Sequence, residues 1–361
     1  MINAFSDNVL DCHLEKLEKE KQELKAYIDT IDCPDKMRAA KNVMHKDTIL
    51  QMTKIAVTEM TGIKKDYIHN SISSMILDHN SDVEEKVDFL EQIVNTGGAW
   101  DSEFIIKNQI GNVYNNIENR IAKDLSIRLS KEIHGNLGIG PNQGIGEVFF
   151  ALTGRGIGMA IKGDLQIYTK NVELKTTTKT RNYCGGRLIP TTGLGSNTSA
   201  LNTMIAQLQS YGIPDSTVKS YQKKTGSLNL NNSGFENLRK MLVPLKSKEK
   251  TVELFVKILQ SLYEDLNRDY AVKTISCAVD DSGNYCVKTI QTFFIIVAHD
   301  YYTSLKNHDS ILFFNVENGN YATVENSVDY IKLINNNHLR IASHLTLTDE
   351  RGKGSAQIIK L

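Results

Sequence analysis

The sequence predicts an α/β protein, a mixed β-sheet flanked by helices and preceded by a helical region over residues 1–134. Three observations predict it. Apolar residues recur at helical spacing up to His134. A glycine-dense stretch, Gly135, Gly138, Gly140, Gly144 and Gly146, then breaks that texture. Beyond it, short β-branched runs alternate with amphipathic helical stretches over 135–361, the pattern of a sheet covered by helices.

Taken in order, Leu10, Leu14, Leu17, Leu24 and Ile28 fall near a heptad seam that Cys33-Pro34-Asp35 interrupts. Further helices are expected over about 36–61, 64–78, 82–95 and 101–134. This region reads as a bundle packed on itself or on the core, or as an arm for dimerisation or DNA contact. After the glycines, a short helix begins near Gly146 and carries Glu147. Two strands follow, Asp164–Thr169 and Val172–Thr177, with a turn at Lys170-Asn171. A helix over Thr198–Tyr211 precedes a loop with Pro214 and a polar stretch containing Gly226 and Asn231-Asn232. Helices are expected over Lys248–Asn267 and 287–306. Strands resume at Ile311–Val316, Tyr321–Val324 and Leu339–Leu347, and Ala356–Leu361 closes the chain. No internal repeat is visible.

Composition narrows the class. Hydrophobic residues make up 40% of the chain and charged residues 23%, as in an ordinary water-soluble globular protein. The longest apolar run, Phe293–Ala298, is far shorter than the roughly 20 residues of a membrane span, so no membrane association is expected. The N-terminus lacks a basic segment followed by an apolar core, which points away from secretion. The five cysteines, Cys12, Cys33, Cys184, Cys277 and Cys286, form no C-x-x-C pair; together these features place the protein in a reducing cytoplasm. Lys plus Arg and Asp plus Glu number 42 each, so net charge argues neither for nor against a nucleic-acid partner.

One segment carries chemistry: Gly144-Ile145-Gly146-Glu147, Lys162-Gly163-Asp164, and Val172-Glu173-Leu174-Lys175. Glu173 and Lys175 are two apart on a predicted strand and point to the same face. Alone, that pair is also what an ordinary cross-strand ion pair looks like, worth a few tenths of a kcal/mol. Asp164, nine residues upstream of Glu173, adds a second acid on the adjoining strand. Carboxylates suit Mg²⁺, a hard ion that prefers oxygen ligands. A lysine beside them can orient or deprotonate a water and offset developing negative charge. This is the minimum set for metal-assisted phosphodiester cleavage. A hairpin turning at Thr169–Asn171 would put Asp164 nearer Lys175 than Glu173, so a distortion is expected at Gly163–Asp164 if both acids are to meet one ion.

The pattern resembles the PD-(D/E)XK nuclease superfamily, the restriction endonuclease-like proteins, whose core is a helix, a three-stranded meander, a helix and a further strand. Gly163 stands where that family has proline, and Glu173-Leu174-Lys175 is its D/E-x-K. The Gly-x-Gly-Glu, Gly-Asp, Val-Glu-Leu-Lys-Thr and Gly185-Gly186-Arg187-Leu188 blocks are similar to MutH-type nicking enzymes with related restriction endonucleases, and to phage-encoded nuclease-like proteins. The likeness covers roughly residues 138–190. It implies a Mg²⁺-dependent deoxyribonuclease, with Mn²⁺ as substitute metal, in a bacterial cell or encoded by a phage. Asp164, Glu173 and the Leu174 carbonyl would bind the metal, Lys175 would serve the water, and Glu147 would complete the acidic cluster. An enzyme that cuts both strands is most simply a homodimer.

Lys179, Arg181 and Arg187 follow the active strand, where DNA phosphates would lie; a solvated loop is the plain alternative. Gln207 and Tyr211 share a helical face and are similar to an auxiliary motif of RecB-like nucleases. His299-Asp300 and His308-Asp309 read as surface or core pairs. Tyr301 and Tyr302 read as base-stacking residues or as part of an amphipathic face. No P-loop, dinucleotide fingerprint, G-x-S-x-G or H-E-x-x-H occurs. An exonuclease or structure-specific repair nuclease is one alternative. A non-catalytic DNA-binding or virion structural protein that retains the fold is the other.

Overall fold

The computed structural model describes residues 45–132, 145–160, 164–177, 199–222, 227–263, 265–306, 308–341 and 345–347, with 354–355, 359–360 and Lys19, Gln22, Ala26 and Ala40. The N-terminal heptad, most of the glycine-dense stretch and Lys179, Arg181 and Arg187 lie outside the described residues. The chain divides into two compact units, one of residues 1–104 and 114–159, the other of 105–113 and 160–361.

In the first unit, α1 (Lys46–Thr61), α2 (Asp66–Leu77) and α3 (Val83–Thr96) correspond to the three expected helices. Each buries one apolar face, among them Ile49, Ala56 and Val57 of α1, Ile68, Ile72 and Ile76 of α2, and Phe89, Leu90 and Ile93 of α3. Lys86 is buried, and its ammonium donates to the Leu77 carbonyl at the end of α2 over 2.6 Å.

The expected helix over 101–134 is broken instead. It comprises β1 (Trp100–Asp101), α4 (Glu103–Lys107), β2 (Ile110–Asn112) and α5 (Arg120–Glu132). Tertiary pairing overrides the helical pattern here. Trp100 pairs with Gly154 of β3 (Gly154–Arg155), which follows α6 (Ile145–Thr153), and β4 is Ile157–Met159. The Trp100 indole donates to Thr153 Oγ1 at 3.0 Å and stacks on Phe149. At Gly98 a Cβ would lie 2.2 Å from the Arg155 amide nitrogen, so only glycine permits this approach.

In the second unit, β5 (Leu165–Ile167), β6 (Lys170–Thr177), β8 (Ser310–Asn315) and β9 (Asn320–Val324) join β2 in a mixed sheet, in the order β2-β9-β8-β6-β5. The β5–β6 and β8–β9 pairs are antiparallel, whereas β6 and β8 run parallel from Val172↔Ser310 to Thr177↔Asn315. Gly111 sits opposite Tyr321, whose ring covers it: a Cβ there would lie 2.7 Å from the ring.

Between β6 and β8 come α7 (Ala200–Ser210), α8 (Asp215–Lys219), β7 (Leu228–Leu230), α9 (Asn232–Leu242), α10 (Lys248–Leu262), α11 (Arg268–Ser276) and α12 (Val287–Lys306). After β9 follow α13 (Ser327–Asn335), β10 (Arg340–Ile341), β11 (Leu345–Leu347), β12 (Gly354–Ser355) and β13 (Ile359–Lys360). One apolar core runs from Leu201 and Leu208 of α7 through Phe255 and Phe294 to Ile311, Phe313 and Tyr330. The expected 287–306 helix is α12. The expected 248–267 helix ends at Leu262, and a separate helix starts after Asn267, whose side chain accepts from the Tyr270 amide. Asn231-Asn232, expected as loop, begins α9, with Asn231 as its N-cap. No helix among the described residues is long and apolar enough to cross a membrane.

Candidate active site

The β5–β6 hairpin turns at Tyr168-Thr169, two residues earlier than the expected Lys170-Asn171. Tyr168 has φ 52°, a positive value at the first loop position that matches the twist of a two-residue hairpin. Lys170 and Asn171 are drawn into the strand by their neighbours. Lys170 pairs with Glu325 at 2.5 Å, and the Asn171 amide donates to Asp309 Oδ2 at 2.7 Å.

The earlier turn changes which residues meet. Leu165 pairs with Val172, the last pair of the ladder before Asp164, so the register differs from the one a turn at Thr169–Asn171 would give. The ladder departs from regularity at this point. The Asp164 amide donates to Val172 O at 3.1 Å, although Val172 is the partner of Leu165. The Leu174 amide is taken by Asp164 Oδ2, at 2.8 Å, instead of by a strand carbonyl. Gly163, the other half of the expected distortion, lies outside the described residues.

Glu173 and Lys175 do share a face, and their side chains form an ion pair at 2.5 Å. Glu173 and Lys175 pair with Ile311 and Phe313 of β8, and the ion pair is sequestered. The two side chains are 7% and 13% exposed, far from the solvated cross-strand pair that the residue pattern also allowed. Leu174 between them is buried toward the opposite face.

Two histidines belong to this neighbourhood. His308 lies two residues before the start of β8 and is buried, which pushes its imidazole pKa down to about 4; the Glu173 carboxylate acts in the opposite direction, and His299 and Lys175 reinforce the fall. It is thus neutral at pH 7. His299, on α12, is buried with its ring edge-on to Tyr330 and Nδ1 3.2 Å from Asp300 Oδ1. Sequence placed both histidines only as surface or core pairs, and the core alternative holds. Nothing in their spacing signals Glu173: the parallel β6–β8 pairing brings His308 there.

Glu147 lies in the first turn of α6, half-buried, and belongs to the first unit. Asp164, Glu173 and Lys175 belong to the second. Gln207 and Tyr211 both engage α10: Lys257 Nζ donates to Gln207 Oε1 at 2.6 Å, and the Tyr211 hydroxyl donates to the Lys250 carbonyl at 2.9 Å. Tyr301 packs its ring on Tyr263, with centroids 5.0 Å apart.

Among the described residues no group of three or more His, Cys, Asp or Glu is placed to hold a metal ion. A closed protein cage of the kind that holds structural zinc is therefore not formed by them. Magnesium asks for less, being held through one or two carboxylates with water completing its octahedron. Asp164, bonded to the Leu174 amide, and Glu173 are carboxylates, the oxygen ligands that a hard ion such as Mg²⁺ prefers.

The fold defines the class as α/β, a mixed sheet with flanking helices. Comparison with protein-family models, with curated proteins and with solved structures gave no match for this chain.

Proposed function

We propose that the protein is a Mg²⁺-dependent DNA endonuclease, restriction-type or phage-encoded, with Asp164, Glu173 and Lys175 at its centre. The observation that supports this reading is the hydrogen bond from the Leu174 amide to Asp164 Oδ2, which ties Asp164 to the strand where Lys175 is paired to Glu173. The topology supports it as well. An antiparallel hairpin bearing the acids, followed by helices and a strand parallel to β6, is the order expected of a restriction endonuclease-like core.

In this reading Asp164, Glu173 and the Leu174 carbonyl would hold Mg²⁺, which when bound would relieve charge at the phosphate as a Lewis acid and make a water more acidic. Lys175, already fixed by Glu173, directs its ammonium at the attacking water and offsets charge on the phosphate oxygens. Asp164 has its orientation set by the Leu174 amide, so the acid is preorganised. Lys179, Arg181 and Arg187 position the DNA backbone, and a homodimer supplies the second active site for double-strand cleavage.

The test is to incubate the protein with circular and linear DNA, with Mg²⁺ and with EDTA, and to map the ends. Mg²⁺-dependent linearisation of closed circles supports the endonuclease. Degradation confined to linear DNA favours the exonuclease, and binding without cleavage favours the non-catalytic alternative.

A further inference from the structure

The second unit contains a cavity of about 580 Å³ at the start of α12, where α9, the end of α13 and β10 meet it. That volume lies within the range of roughly 300–1,000 Å³ found for small-molecule sites. It is separate from the candidate active site: Lys288 lies eleven residues before His299 along α12, about 16 Å at 1.5 Å per residue.

The lining has three chemistries. Lys288 and Arg340 bring two cations to one cavity, and among the described residues neither is in an ion pair. Arg239 nearby is engaged with Glu236, an acid that lines the cavity. Gln291 is 5% exposed, and its amide is locked by donating to Asn232 Oδ1 at 3.0 Å, so a rigid pair of amides lies within the cavity. Val287, Ile334 and Leu339 supply an apolar wall.

We propose that this cavity binds a nucleotide, with its phosphate on Lys288 and Arg340 and its base between the apolar wall and the Gln291–Asn232 amides. Arginine meets phosphate through a planar fork and lysine as a point charge, so the pair suits one phosphate better than a carboxylate at either residue alone. Side-chain amides match the donor and acceptor edges of bases. The nucleotide is either a free monophosphate or one residue of a strand, and the chemistry is the same for both. The inference does not rest on the nuclease assignment.

Calorimetry on the full chain tests it. The ligands are the four deoxynucleoside 5′-monophosphates, deoxyadenosine, inorganic phosphate and a short single-stranded oligonucleotide, all in EDTA so that no metal-dependent step contributes. The expected result is binding of at least one monophosphate, or of the oligonucleotide, that weakens at least tenfold in Lys288→Gln/Arg340→Gln. Monophosphate binding assigns the free nucleotide as the source, and oligonucleotide binding alone assigns the strand. Both substitutions are at exposed positions, and an unchanged melting temperature shows that the variant is folded. Inorganic phosphate binding as tightly as any nucleotide overturns the base contact. Absence of binding at millimolar ligand, or equal binding by the double variant, overturns the site.

Discussion

The Leu174 amide donates to Asp164 Oδ2 at 2.8 Å, so the carboxylate at the end of β5 completes the hydrogen bonding of the strand that carries Glu173 and Lys175. Asp164 thereby has a structural duty besides any catalytic one, and substitutions must separate them. Asp164→Asn retains an oxygen for the Leu174 amide, whereas Asp164→Ala leaves that donor without its acceptor, at a cost of about 1–3 kcal/mol. Urea unfolding should show the alanine variant less stable than the asparagine variant by that margin. Equal stabilities would mean that the bond contributes nothing.

The Glu173–Lys175 pair predicts strong non-additivity. Lys175→Met removes the cation paired with the buried Glu173 carboxylate, which costs about 3–5 kcal/mol. The double variant Glu173→Gln/Lys175→Met removes both charges and should recover most of that loss. A double-mutant cycle in urea checks it, and independent additive effects would contradict the burial of the pair. Lost cleavage in Lys175→Met alone therefore has to be read beside its melting temperature.

Gly111 and Tyr321 are coupled across β2 and β9. Gly111→Ala drives a methyl group into the buried Tyr321 ring and should destabilise the protein by about 1–3 kcal/mol. Tyr321→Leu on the same background should relieve part of the clash, leaving the double variant more stable than the sum of the singles predicts. Thermal unfolding of the four proteins decides it.

Asp300 predicts an acid dependence. Burial alone would raise its carboxyl, but hydrogen bonds from His299, Tyr270 and Ser327 outweigh burial and lower it. A carboxyl lowered on folding stabilises the protein at pH above its ordinary value, near 4, and loses that contribution as pH falls through the folded value. Asp300→Asn should thus be less stable than the parent at pH 7, with the gap narrowing below about pH 4. Melting temperatures at both pH values measure it, and a gap independent of pH would contradict the sign.

Much of the architecture was legible because local pattern and tertiary environment agree. The helix at 287–306 is apolar over a long stretch, and Ile311–Val316 and Tyr321–Val324 are bounded by polar turns. Where they conflict, the sequence misleads. Residues 101–112 fall in the expected helix, but Asp101 against Arg155 and Gly111 against Tyr321 supply strand partners distant in the chain. The alternation of residues 172–175 disclosed the face shared by Glu173 and Lys175. The register did not follow from it, because Tyr168 adopts a positive φ that a tyrosine rarely signals. His308 was legible as a histidine and not as a neighbour of Glu173, since its place depends on parallel pairing with a strand more than a hundred residues earlier.

Cleavage of covalently closed plasmid by the parent and by Asp164→Asn, each with Mg²⁺ and with EDTA, tests the central claim most directly. The account predicts Mg²⁺-dependent cutting by the parent and a rate lower by at least about 100-fold in the variant, at an unchanged melting temperature. Equal cutting by the two folded proteins would contradict it.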